Sequence, residues 1–311
     1  MTQQRAKQLV ILSGKGGTGK TSLSAAFAYE STHAGMNYKT FFVDADVDAA
    51  NLSLVLEAQV AEQHEFWGSS QAEIDVQKCT GCGSCESVCR YDAIFPHSEI
   101  PGVNWIDPIA CDGCAACVYA CPEDAISMIP QQEGFWYRSE TPYGKFFHAE
   151  LFPGRENSGK LVTLIKQNAR LAADDQSVQL IVIDGPPGIG CPVISACAGT
   201  DLGLIVAEPG QAGMHDLQRV LGTLRHFRIP TVICINKADL YSQGTKEIYE
   251  FAETQGIEVV GEIPFDESIP LSMLQGVPIQ VLYPESPAAR AIHKIWHQTV
   301  NKLFQYEKQN V

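Results

Sequence analysis

The chain has 311 residues, 45% of them hydrophobic, and a formal net charge of −14. That length and apolar content suit one large α/β core plus a small module and argue against disorder. The acid excess argues against nucleic acid or an anionic membrane as a broad-surface partner, so a bound anion must be held locally, by backbone amides and a few lysines.

In chain order, Leu9-Val10-Ile11-Leu12 reads as a short buried strand. It is followed by the glycine-rich loop Gly14-Lys15-Gly16-Gly17-Thr18-Gly19-Lys20-Thr21 and a helix from Lys20 to about Ala34. Phe41-Phe42-Val43 reads as a second strand, ending in Asp44-Ala45-Asp46. After Asn51-Leu52 the pattern weakens. Eight of the 11 cysteines then fall in two runs, Cys79-x2-Cys82-x2-Cys85-x3-Cys89 and Cys111-x2-Cys114-x2-Cys117-x3-Cys121. An aromatic, alternating stretch around Gly134–Tyr137 and Lys145–His148 predicts a β-hairpin turning at Thr141-Pro142-Tyr143-Gly144. A helix is predicted over Ser158 to about Ala173. Strands at Leu180–Ile183, Leu204–Val206, Thr231–Ile235 and Val259–Ile263 alternate with helices near Met214–His226 and Gly244–Gln255.

This alternation predicts an α/β fold with a doubly wound, mostly parallel sheet; with the glycine loop and the two cysteine runs it reads as a P-loop NTPase sheet with a small inserted α+β ferredoxin-like domain. The expected boundaries are 1–71 and 131–311 for the ATPase domain, with 131–157 as the hairpin, and 72–130 for the insert. The insert carries nine acidic residues between Glu73 and Asp124 against Lys78 and Arg90, which suits docking to a basic patch on a redox partner. Met1–Gln8 is polar and Leu9–Leu12 is too short for a leader, and no segment approaches a membrane-spanning length. The expectation is a cytoplasmic protein without stable membrane insertion, its thiols kept reduced as metal ligands.

The glycine loop follows a strand and opens a helix, the setting in which its amides cradle phosphates. Lys20 is then placed for the β/γ-phosphates and the Thr21 hydroxyl for Mg²⁺. Each cysteine run has the spacing of a cubane 4Fe–4S site, in which three cysteines of a run wrap one cluster and the fourth reaches the other. Cys79, Cys82, Cys85 and Cys121 are therefore expected at one cluster, and Cys111, Cys114, Cys117 and Cys89 at its partner. Cys121 is followed by Pro122, as in ferredoxins, whereas Cys89 is followed by Arg90. Zinc, the other tenant of Cys-x2-Cys pairs, uses two pairs and not this longer run. Of the remaining cysteines, Cys234 reads as a core residue, and Cys191 and Cys197 have no assigned role. His215, His293 and His297 show no ligand pattern and read as surface or capping residues.

The second lysine, Lys15, gives the loop the form Gly-Lys-Gly-Gly-Thr-Gly-Lys-Thr, which resembles the deviant Walker A family of MinD, ParA, Mrp and the nitrogenase iron protein. The resemblance implies that Lys15 crosses to a partner subunit's nucleotide, so that two copies, or this chain and a paralogue, sandwich two ATP molecules. It also implies catalytic roles for Lys15 and Lys20, and a water-orienting role for Asp46, with Asp44 as the alternative. Asp184, in Ile183-Asp184-Gly185-Pro186-Pro187-Gly188, would hold Mg²⁺ through water. Asn236-Lys237-Ala238-Asp239 reads as a base-recognition loop. Alone it matches a guanine motif, but the resemblance favours adenine, with Asn236 on the base and Pro264-Phe265 near the ring. The C-terminal pattern from Ile292 to Phe304 reads as a core-packing helix, although a membrane-binding helix occurs there in MinD. Mrp-type carriers have a late Cys-x-x-Cys pair, and none follows Cys197 here.

The leading expectation is an ATPase whose nucleotide state gates electron delivery from two clusters to a partner protein. The alternatives are an ATP-dependent carrier that loads clusters onto a client, and a ParA-like positioning ATPase with redox-sensing clusters.

Overall fold

The computed structural model of the chain describes residues 5–35, 38–155 and 157–305. The leader reading of Met1–Gln8 therefore lies partly outside the described residues. The chain begins β1 (Lys7–Ser13), α1 (Lys20–His33), β2 (Thr40–Asp44), α2 (Leu52–Val55) and a long β3 (Gln59–Ile74). Next come α3 (Ser84–Val88), β4 (Ile94–Pro96), β5 (Asn104–Ile106), α4 (Ala116–Ala120), a long β6 (Ile126–Thr141) and β7 (Gly144–Leu151). Strands and helices then alternate through α5 (Ser158–Asp175), β8 (Leu180–Pro187), α6 (Cys191–Cys197), β9 (Leu202–Ala207) and α7 (Gln211–His226). The chain closes with β10 (Thr231–Asn236), α8 (Ser242–Gln255), β11 (Glu258–Ile263), α9 (Ser268–Leu274), α10 (Ile279–Leu282) and α11 (Pro287–Gln305).

Two compact units result, Met1–His64 with Phe135–Val311, and Glu65–Gly134. The cysteine unit is thus wider than the expected 72–130. Its boundaries fall inside β3 and β6, because both strands continue past the cysteine-rich segment on each side.

In the larger unit the strand order begins β11-β10-β9-β1-β8-β2-β7. Every pairing along that order is parallel. The central strands are near-continuous apolar runs because helices cover both faces: Leu9 to Leu12 and Leu180 to Ile183 are almost wholly buried. In α5, Leu161, Val162, Ile165, Ala169 and Ala173 are buried, the 3.6-residue stripe of a helix lying on a sheet. The C-terminal helix α11 buries Ile292, Ile295, Trp296, Val300 and Leu303 in the same way. Its Trp296 ring meets Phe27 of α1 edge-on at 5.0 Å, so the apolar face packs on the core. Among the described residues, no helix is long and apolar enough to cross a membrane. Strand order reverses around β1, with β8 on one side and β9 on the other, which places the ligand crevice of such a sheet at the carboxyl ends of these strands.

His148 in β7 shows how tightly this unit is filled. Its ring lies between Tyr137 and Phe146, with centroids 4.8 and 4.6 Å away, and Nε2 is 2.9 Å from Ser139 Oγ. Burial lowers its pKa to about 4. The unfolded chain takes up this proton near pH 6.5, whereas the fold resists it until about pH 4. Stability from this group is therefore complete above 6.5 and falls as pH drops toward 4, by ~2–3 kcal/mol. Urea midpoints at pH 7 and pH 4.5 should separate by less in His148→Gln than in the parent chain, and equal separations would refute this.

Candidate functional site

The larger unit gathers its polar residues at the carboxyl end of the sheet. Gly19 caps α1 with a left-handed backbone, φ 92°, and a Cβ there would lie 2.4 Å from Asn236 Nδ2. Only glycine lets the loop and β10 approach so closely. Asn236 is buried, donates from Nδ2 to the Thr18 carbonyl at 2.8 Å, and accepts the Lys237 amide on Oδ1 at 3.0 Å. Its side chain thus brackets the phosphate loop.

Lys20 is buried, and its ammonium donates to Ser13 Oγ at 2.7 Å and to the Lys15 carbonyl at 3.5 Å. Burial lowers its pKa, while the charges of Asp184 and Asp46 oppose the shift. Asp184 lies within β8, fully buried, and accepts from Ser24 Oγ at 2.8 Å. Burial pushes it up to about 6, against the hydrogen bonds of Ser24 and Thr21 and the charge of Lys20. Asp44 is raised well above the usual carboxylate range, first by burial and then by Asp184. Its two oxygens accept the amides of Asp46 at 3.0 Å and Leu52 at 3.2 Å, so Asp44 shapes the loop after β2. Asp46, less buried, is also raised by burial, with Lys20 opposing. Asp184 and Asp46 face the buried lysine and the Thr21 hydroxyl bonds Asp184, so hard oxygens of the kind that suit a divalent cation such as Mg²⁺ gather here.

Beside the loop lies a cavity of about 590 Å³, lined by Gly17, Asn236, Lys237, Pro264, Phe265 and Met273 among others. It is large enough for a nucleoside and apolar on the side formed by α9. Asp239 Oδ1 accepts the Phe265 amide at 2.6 Å, so part of the carboxylate that a guanine edge would need is already engaged.

Sequence reasoning missed Glu208, which follows β9. Its carboxylate takes Lys237 Nζ at 2.5 Å and Lys15 Nζ at 3.1 Å. Burial would raise its pKa, but the hydrogen bonds and charges of Lys237 and Lys15 outweigh that and leave it lowered. An acid at the end of a parallel strand neighbouring the loop strand was the available signal.

In the smaller unit, two separate pockets collect the cysteines. One is lined by Cys79, Cys82, Cys85 and Cys121, the other by Cys111, Cys114, Cys117 and Cys89. Each holds roughly 310–330 Å³ of empty space, its open mouth included. The helices α3 and α4 carry the third cysteine of each run, Cys85 and Cys117, into a small core with Ala72, Ala93, Ile94, Ile106 and Ile126. The crossing cysteines are held alike: the Ala93 amide donates to Cys89 Sγ at 3.4 Å and the Ala125 amide to Cys121 Sγ at 3.3 Å. Gly81 and Gly113 have φ of 67° and 75°, and a Cβ would strike the carbonyls of Gly102 and Ser70 at 2.3 and 2.1 Å. Among the described residues, no three His, Cys, Asp or Glu side chains converge as ligands of one metal ion. Four sulfurs ringing a pocket instead fit a cubane, in which each thiolate binds a different iron.

The other candidates stand apart from these sites. Cys234 and Cys197 are buried, their thiols pushed up to about 12 and about 11 by burial, and Cys191 is exposed at the start of α6. His215 is exposed. His293 is exposed, and its Nδ1 lies 2.8 Å from Oε2 of the buried Glu30.

A model of the CobQ/CobB/MinD/ParA nucleotide binding domain matches residues 9–279. The chain belongs to that family. The CobQ/CobB/MinD/ParA match spans both units and agrees with the phosphate loop and parallel sheet just described. Protein MJ0578 of Methanocaldococcus jannaschii is 35% identical over 264 residues, 85% of this chain and 86% of that one. An iron-sulfur cluster carrier protein of Pyrococcus abyssi is 24% identical over 312 residues, covering 95% of this chain and 86% of the relative. Among solved structures, the septum site-determining protein MinD complexed with Mg-ADP from Pyrococcus horikoshii has a TM-score of 0.59 at 19% identity, covering 97% and 98% of the two chains. At that identity the likeness concerns the fold.

Proposed function

We propose that this chain is a nucleotide-driven iron–sulfur protein: an ATPase that carries two 4Fe–4S clusters and hands cluster units to a client protein. The observation that carries the reading is the sorting of eight cysteines into two pockets, each completed by one cysteine of the other run, in a chain with a phosphate loop. The iron–sulfur carriers among its relatives, 23–25% identical over 95% of this chain in three Pyrococcus species, support delivery over the gated electron transfer expected first.

In this reading the loop 14–19 cradles the phosphates, Lys20 meets the β/γ-phosphates, and Thr21 with Asp184 holds Mg²⁺, which supplies charge neutralisation on the transferring phosphoryl group. Asp46 orients the attacking water, since the oxygens of Asp44 are engaged by backbone amides. Adenine occupies the cavity beside Pro264 and Phe265. Two subunits, this chain twice or with a paralogue, close around the nucleotides. Lys15, bound to Glu208 of its own chain, exchanges that carboxylate for the partner's phosphate.

Electron delivery is the second reading, favoured by the amide bonds to Cys89 and Cys121, which suit clusters that stay in place. One assay separates the two. Iron-loaded protein is mixed anaerobically with an apo-ferredoxin acceptor, with ATP or a non-hydrolysable analogue. Nucleotide-dependent iron transfer supports the carrier. Full retention of iron through repeated reduction and reoxidation, with none transferred, rejects it in favour of electron delivery.

A further inference from the structure

The two cysteine pockets are copies of one design, and their differences have a consequence. Eleven residues line the Cys79 pocket, and each has a counterpart in the Cys111 pocket at the constant offset that relates Cys79 to Cys111 and Cys89 to Cys121. Ile74 matches Ile106, Ala125 matches Ala93, and Ile126 matches Ile94. Each pocket also has one acid, Glu123 in the first and Asp112 in the second, so this charge is the same in number. Four counterparts differ in type: Thr80 and Asp112, Gly83 and Ala115, Glu123 and Tyr91, and Asn104 and Ala72. Asn104 lines the first pocket where Ala72 lines the second. Asn104 is 7% exposed, and its Nδ2 donates to Cys85 Sγ at 3.5 Å. Ser84 Oγ lies 3.4 Å from Cys82 Sγ, and its counterpart is Ala116.

We propose that Asn104 makes the two cluster sites unequal, so that the Cys79–Cys82–Cys85–Cys121 site takes up the first electron and the Ala72-lined site the second. The inference rests on the cluster reading above. A donor hydrogen bond to a cluster thiolate stabilises the more negative, reduced state and so raises the reduction potential. The amide is buried, where such a bond is strongest. Ala72 offers no donor to the equivalent sulfur. Reduction adds one electron at each site, supplied by a low-potential one-electron donor, and breaks no bond.

The test is a redox titration of the anaerobically purified full chain with dithionite, followed by electron paramagnetic resonance and accompanied by iron and sulfide counts. The parent chain should show two separate one-electron waves. In Asn104→Ala the higher wave should fall by about tenfold in its reduction equilibrium, ~59 mV for one electron, with the lower wave unmoved. Ala72→Asn should raise the lower wave, which keeps the test decisive where Asn104→Ala fails to load. A parent chain without about eight iron atoms sinks both this inference and the cluster reading. A fully loaded chain whose waves ignore both substitutions, or in which Asn104→Ala moves the lower wave, sinks this inference alone.

Discussion

Lys20→Ala is expected to lower ATP turnover by about 10³-fold, read as phosphate release under saturating nucleotide. The lysine is the buried cation facing Asp184 and Asp46. Its ammonium persists against desolvation because Asp184 and Asp46 hold it. Without it, burial and mutual repulsion drive Asp46 and Asp184 further toward their protonated forms, and the oxygens proposed for Mg²⁺ lose their charge. Ser13 Oγ loses the donor it accepts from, keeping only its own bond to the Lys15 carbonyl. Lys20→Arg should not restore turnover, since a planar guanidinium cannot occupy the same buried position against Ser13. Iron content, measured in the same samples, should match the parent chain. Turnover within a few-fold of the parent would remove Lys20 from the chemistry.

The second large effect concerns Cys121. Cys121→Ser should cost about half of the bound iron, and the loss should fall on the site of Cys79, Cys82 and Cys85. Sequence adjacency predicts the opposite, because Cys121 is four residues from Cys117. The decisive comparison is spectroscopic: Cys121→Ser must lose the same resonance signal as Cys79→Ser, and Cys89→Ser the same signal as Cys111→Ser. If Cys121→Ser and Cys111→Ser lose the same signal, the crossed assignment is wrong.

Much of this architecture is readable from residues. The strands around β1 announce themselves as unbroken apolar runs because both faces are covered, and the phosphate loop is announced by where its glycines fall. The long β3 is not legible. Its residues Gln59 to Ile74 are mostly polar, and only Phe66, Gly68 and Ala72 are buried, so no sustained period of two emerges. It adjoins only β6, at the end of the strand order, and among its apolar residues only Phe66 and Ala72 are buried. Short helices such as α9 and α10 escape notice because a turn or two gives no stripe to count. At the site, residue types are legible while their employment is not. Asn236 and Asp44 are spent on holding backbone, and Glu208 binds two lysines distant in sequence. Those outcomes depend on which strand ends become neighbours. The crossed cysteines were legible because spacing fixes them, whereas the contrast of Asn104 with Ala72 needed the pocket walls.

The exchange of last cysteines has an ancestral implication. A single half of the small unit owns three thiolates at its own pocket and lends its fourth outward. The stops on Gly81 and Gly113 are likewise carbonyls one half-length apart, at Gly102 and Ser70. A half-length forebear could have completed a ligand set only by pairing with a second copy of itself, each reaching into the other.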